Sequence, residues 1–243
     1  MKTVIIVQAR MTSTRLPGKV LKTVLGKALL EYQIERLKMV QLAEQIIIAT
    51  TINSTDQPII DLCQRLSVPY YRGSEDDVLA RYYEAATLYG ADAIVRVTSD
   101  CPLIDPTVID EVIDYYISNE CDYVSNTMDR TYPRGMDTEV FSYKVLKEAF
   151  KNAVELPERE HVTPFIYHRP EKYSLESVKM MSDKSHYRWT VDTIEDFKLI
   201  KKILSNLYPI NPQFSMQDCL KLLQKYPEWE RINKHIEQKA YGK

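Results

Sequence analysis

The amino-acid sequence predicts an α/β fold: a doubly wound, mostly parallel sheet with a helical C-terminal segment. Three observations carry this. Short β-branched, apolar runs such as 3–8 and 45–49 read as strands covered on both faces. Stretches with apolar residues at 3.6 spacing lie between them, joined by short polar or Gly-containing links, which is the order of βαβ units. With 243 residues, 44% of them hydrophobic and 27% charged, the chain can bury a large core.

In order, 3–8 is the first strand and 9–19 a turn-like loop. A helix is predicted over 28–40, where Leu29, Leu30, Ile34 and Leu37 form one stripe. Strand 45–49, helix 56–66, strand 68–71, helix 77–89 and strand 93–97 follow. Asp105 can cap free amides and Pro106 suits a first helical position, so a helix runs on to residue 118. After Cys121 the alternation loosens. A turn at 132–135, a strand at 138–141, helices at 143–151 and 158–168, and strands at 173–178 and 187–191 are expected, then helices over most of 194–239. No low-complexity linker or internal repeat interrupts the chain, so one domain spanning 1–243 is the economical reading.

The 32 Lys and Arg against 34 Asp and Glu give a net charge of −2 with no long run of one sign. That removes any general attraction for nucleic acid or an anionic membrane. No apolar run approaches the roughly 18 residues of a membrane span. Cys63, Cys101, Cys121 and Cys219 make no C-x-x-C pair, so neither zinc nor a disulfide framework is expected. A cytoplasmic protein without a secretory leader fits.

In doubly wound sheets ligands sit beyond the carboxyl ends of the strands. The loop after the first strand places Arg10, Arg15 and Lys19 among Thr12, Ser13 and Thr14 and closes on Pro17-Gly18. Cations, hydroxyls and backbone amides in such a loop suit a polyphosphate. Neither G-x-x-x-x-G-K-[ST] nor G-x-G-x-x-G occurs, which argues against P-loop hydrolases and dinucleotide dehydrogenases. A polyphosphate needs more charge compensation than three cations give, and Mg²⁺ held by one or two carboxylates normally supplies it. Asp100 follows the fourth strand and is either a ligand or an Asx turn before Pro102. Asp192 is either a ligand or a cap for the next helix, where Thr193 and Asp196 resemble a capping box. Ser74 or Asp77 can likewise cap the helix that follows. No Asp-x-Asp pair is present, which weighs against a metal-dependent glycosyltransferase. A second polar group, Arg134, Asp137, Glu139, Glu160 and His161, is a candidate grip for an acidic or hydroxylated acceptor. Arg134 is best placed for a carboxylate and Arg188 is in reserve.

The segment Arg10-Met11-Thr12-Ser13-Thr14-Arg15-Leu16-Pro17-Gly18-Lys19 resembles the R-x-x-S-x-R-L-P-x-K signature of the cytidylyltransferases that make CMP-activated acidic sugars. Gly73 to Arg81, Pro133-Arg134-Gly135 and Asp192-Thr193-Ile194-Glu195-Asp196 extend the likeness over most of the chain, toward the family's spore coat polysaccharide (SpsF) branch. Those synthetases usually carry glycine near position 12 or 13, where this chain has side chains. The resemblance implies a nucleotide-diphospho-sugar transferase-like sheet, transfer of CMP from CTP to an acidic sugar with release of pyrophosphate, and a homodimer. It implies that Arg10, Arg15 and Lys19 hold the triphosphate, with Ala9 and Ser13 lining the nucleotide, and that Arg15, Lys19 and Asp100 serve catalysis. Asp100 and Asp192 would bind Mg²⁺, while Thr50, Ser74 and Arg81 would read the base. The alternatives are a glycosyltransferase, a phosphonate or sugar-phosphate cytidylyltransferase, and a non-catalytic nucleotide-binding protein of a polysaccharide pathway.

Overall fold

The computed structural model describes residues 1–238. In chain order these form strand β1 (Thr3–Gln8), a small hairpin of β2 (Thr23–Val24) and β3 (Lys27–Ala28), helix α1 (Leu29–Leu37), β4 (Gln45–Thr51), α2 (Gln57–Arg65), β5 (Tyr70–Gly73) and α3 (Val78–Leu88). Next come β6 (Ala93–Thr98), α4 (Pro106–Ser118), β7 (Tyr123–Ser125), β8 (Glu139–Ser142), α5 (Tyr143–Asn152), α6 (Leu156–His161), α7 (Pro164–Tyr167), β9 (Leu175–Ser177), α8 (Ile194–Leu207) and α9 (Met216–Lys225). Seven strands make one sheet in the order β5-β4-β1-β6-β8-β7-β9. Only β8 runs against its neighbours.

The period of two along β1 explains why this run is apolar throughout. Ile5 and Val7 pack with Leu30 and Ile34 of α1, Ile59 of α2 and Val112 of α4. Val4 and Ile6 face the other way, against Leu79 and Tyr82 of α3 and Leu146 of α5. A third cluster seats α8 and α9, through Ile200, Ile203, Leu220 and Leu223, on Leu103, Met136, Trp189 and Val191. No helix is long and apolar enough to cross a membrane among the described residues.

The chain leaves β1 toward β4 on one side, while β6 lies on the other, with Gln8 in register with Thr98. This is the switch point where a crevice forms beyond the strand ends.

Several expectations shift. The helix expected over 158–168 is two, α6 and α7: Val162 turns to φ 72, and Pro164, with no amide hydrogen, opens the second. The stretch 187–191 is extended but lies outside the sheet, meeting the 132–135 turn through one parallel bridge, Arg134 to Arg188. The sequence did not predict β7 or the β2–β3 hairpin. At the C-terminus α8, α9 and a 3-10 turn at Pro227–Ile232 account for the helical segment, and Lys239, where the last expected helix ended, lies outside the described residues.

Candidate active site

Three loops spring from the switch point, and backbone bonds join their roots: Ala9 N donates to Ala49 O at 3.1 Å and Ser99 N to Gln8 O at 3.2 Å. In the loop after β1, the Met11 carbonyl accepts from the amides of Ser13 (3.0 Å) and Gly18 (2.9 Å). The Met11 amide donates to Asp56 Oδ1 at 2.7 Å. Gly18 has φ 66, the left-handed region that glycine enters without strain, and Lys19 then opens a 3-10 turn. The loop is thereby curled so that Lys19 Nζ lies 2.9 Å from Asp100 Oδ2 and 2.8 Å from Asp192 Oδ1. Arg15 reaches Asp192 Oδ2 at 2.8 Å.

Asp100 and Asp192 come together through backbone pairing. The Val191 amide donates to the Asp100 carbonyl at 2.8 Å, and the Trp189 amide to the Arg134 carbonyl at 2.7 Å. That second contact depends on Gly135, at φ 104, where an added Cβ would stand 2.8 Å from the Trp189 carbonyl carbon and oxygen. The capping role that the sequence allowed for Asp192 falls to its neighbour. Thr193 caps α8, its hydroxyl accepting from Asp196 N at 3.3 Å, while Asp196 accepts the Thr193 amide at 3.1 Å. Asp192 is left with both oxygens on cations. Asp100 Oδ1 accepts the Thr98 hydroxyl at 2.6 Å.

Burial lowers the Lys19 pKa, but Asp100 and Asp192 outweigh it and raise it to about 12. Burial likewise raises the Asp100 pKa, yet Lys19 and Thr98 bring it down to about 2. Lys19 and Asp100 are therefore both ionised near neutrality, in a largely buried cluster that Arg15, Arg188 and Asp192 complete.

The other nucleotide candidates surround it in two ways. Arg10 lies on the rim, 3.5 Å from Glu75, which also accepts from the Thr12 hydroxyl and the Asn53 amide. Ala9 is buried at the loop root and Ser13 is half-buried in the loop. Thr50 is fully buried, its hydroxyl 3.2 Å from Asp56 Oδ2. Arg81 is buried and donates to the Ser74 carbonyl at 3.0 Å. The Ser74 hydroxyl accepts the Asp77 amide at 3.2 Å, and Asp77 caps α3. Thr50 and Arg81 therefore brace loops and do not open onto the crevice.

The acceptor candidates divide. Arg134 is half-buried, and its guanidinium makes no hydrogen bond or ion pair among the described residues; burial and neighbouring Arg130 lower its pKa. Asp137 is held by Arg130 in two-point geometry at 2.6 and 2.8 Å. Glu139 is buried in a network with Arg96, the Tyr123 hydroxyl (2.8 Å) and the Thr163 hydroxyl (2.5 Å), so its charge is balanced inside the protein. Burial lowers the pKa of half-buried His161, and Glu160 is exposed. Arg188, expected beside the acceptor, instead grips Asp192 and Asp196.

Sequence reasoning missed Asp56, Glu75, Thr98, Arg130 and Asp196 as parts of this region. Glu75 and Asp196 stand inside the quoted motifs, but Asp56 and Arg130 act on partners that no local spacing marks.

The model of the cytidylyltransferase family matches residues 4–232. An uncharacterized protein of Methanocaldococcus jannaschii is 40% identical over 99% of this chain and 98% of its own. The spore coat polysaccharide biosynthesis protein SpsF of Bacillus subtilis is 30% identical over 92% and 94%. A solved cytidylyltransferase from Leptospira borgpetersenii superposes with a TM-score of 0.91 at 34% identity, covering 99% of this chain and all of that one. The fold also matches that of a CMP-2-keto-3-deoxy-manno-octonic acid synthetase complexed with CTP, at a TM-score of 0.66 and 17% identity over 84% of this chain and 99% of that one. By the span of the family match and the full-length relatives that bracket the cationic loop and its two aspartates, the chain belongs to the cytidylyltransferase family.

Proposed function

We propose that the protein transfers CMP from CTP to an acidic sugar of the sialic, legionaminic or ulosonic acid type, releasing pyrophosphate, for surface or spore coat polysaccharide synthesis. The observation that carries this is the single ammonium of Lys19 shared by Asp100 and Asp192, with Arg15 on the latter, at the switch point of the sheet. The SpsF relative and the acidic-sugar synthetase among the fold neighbours support the pathway and the class of acceptor.

Two aspartates are hard oxygen donors, and among the described residues no third carboxylate, imidazole or thiol converges with them to form a ready-made cage. That donor set suits Mg²⁺, which keeps several waters and takes its other ligands from substrate phosphates. When bound, the ion would neutralise and orient the triphosphate. The protein's own groups do the rest. Arg15 and Lys19 exchange carboxylate partners for phosphate oxygens and offset the charge that grows on the leaving pyrophosphate. An acceptor hydroxyl oxygen forms the new bond to the α-phosphorus and gives up its proton to solvent as the bond to pyrophosphate breaks, and Arg134, whose guanidinium has no hydrogen-bond or ion-pair partner among the described residues, meets the acceptor's carboxylate.

A pyrophosphate-release screen of CTP, UTP and ATP against acidic sugars, sugar phosphates and phosphonates tests this. Release with CTP and an acidic sugar is expected. Lys19→Ala should lower kcat/KM by about 100-fold or more while keeping a cooperative unfolding transition. Binding of CTP without turnover on any acceptor, release with a sugar phosphate alone, or a fully active Lys19→Ala variant would overturn the reading.

A further inference from the structure

We propose that Arg188 is a positioning residue that fixes the Asp192 carboxylate, and that the C-terminal segment, through Asn233, is part of that hold. The proposal rests on the reading above, in which Asp192 serves the metal–nucleotide complex.

Every nitrogen of the Arg188 guanidinium is engaged. NH2 lies 2.8 Å from Asp192 Oδ2 and 3.1 Å from Asp196 Oδ2, Nε 2.9 Å from Asp196 Oδ1, and NH1 2.6 Å from Gln238 Oε1. Asp196 is 0% exposed, Asn233 3% and Arg188 7%. Asp196 also accepts the backbone amide of Asp192 itself at 3.0 Å, so Asp192 is fixed at its main chain and at its side chain by the same pair. Asn233 closes the network from the far end of the chain. Its amide donates to Asp196 Oδ1 and to the Arg188 carbonyl, both at 2.8 Å.

The three cations on Asp192 are not equivalent. Lys19 and Arg15 stand on a loop at the mouth of the crevice and have phosphates to turn to. Arg188 is buried, and its other partners are all internal. It is the cation that stays on Oδ2 when the other two leave, which presents Oδ1 in a fixed direction. A purely structural arginine would need only Asp196; the planar fork lets this one span both carboxylates, which a lysine cannot do. Groups that orient a ligating carboxylate in this way typically change metal affinity about 10- to 100-fold when removed.

The test compares full-length wild type with Arg188→Lys and Asn233→Ala. Mn²⁺ binding is followed by electron paramagnetic resonance in the presence of a CTP analogue with a methylene bridge between the α and β phosphorus atoms. Nucleotide affinity is measured separately in EDTA. Arg188→Lys should weaken Mn²⁺ binding by about 10-fold or more and Asn233→Ala in the same direction, with metal-free nucleotide affinity held within about two-fold. Asn233→Ala leaves all charges in place and keeps the test available if Arg188→Lys does not fold. Unchanged Mn²⁺ affinity in either folded variant would overturn the proposal. If wild type itself binds no Mn²⁺ with the nucleotide, the functional reading fails instead.

Discussion

Asp192 stands two residues before α8, next to the position where an aspartate ordinarily caps free amides, and its carboxylate meets Arg15, Lys19 and Arg188. The adjacent Thr193 takes the capping role, and the sequence already held the sign of this in the Thr193 and Asp196 pair. Asp100 and Lys19 were legible as residue types beyond strand ends. Their contact was not, because it requires two loops far apart in the chain to meet. The electrostatics of that contact make a prediction for the metal-free protein. Burial opposes ionisation of Asp100, and Lys19 overrides it to hold the pKa near 2, below the ordinary 3.8. A carboxylate depressed on folding adds stability that is present above about pH 4 and lost as pH falls toward 2. In Lys19→Met burial is left with less opposition and the folded-state pKa rises toward the unfolded one, so stability should fall less steeply between pH 4 and 2. Urea unfolding across pH 2 to 6 measures it, and superimposable acid limbs for the two proteins would refute the coupling. Lys19, raised to about 12 from 10.5, contributes in the opposite sense, fully below 10.5 and fading as pH climbs through 12.

At the scale of elements, the 132–135 turn and the extended 187–191 stretch act as one unit that delivers Asp192. The strand pattern of 187–191 was readable because Trp189 and Val191 face a core. Its place outside the sheet was not, since its partners are the Arg134 and Asp100 carbonyls and not a strand. Glu139 shows the same limit: the sequence grouped it with acceptor residues, whereas the antiparallel register of β6 and β8 sets it opposite Arg96. Gly135 is the joint of the unit. Gly135→Ala combines a left-handed backbone angle with a 2.8 Å contact to the Trp189 carbonyl, so it should cost about 2–3 kcal/mol. It should also depress turnover by displacing Asp192. Chemical denaturation with parallel kinetics checks this, and stability within about 0.5 kcal/mol of wild type would show that the turn does not carry the load assigned to it.

At the scale of the molecule, the alternation of apolar runs and amphipathic helices was enough to place the doubly wound sheet and its switch point, because burial on both faces leaves a plain mark on strand composition. The later strands were harder to read: β7 is three residues long, too short for a period to show, and β9 fills only the middle of the strand expected at 173–178. The consequence for function is that the cationic loop, Asp100 and Asp192 arrive at one crevice from three separate parts of the chain. The most direct measurement is a crystal structure with Mg²⁺ and the methylene-bridged CTP analogue. The triphosphate is expected on Arg15 and Lys19, with Asp100 and Asp192 holding the metal and Arg188 still on Asp192. A nucleotide bound elsewhere, with Lys19 still locked on both aspartates, would contradict it.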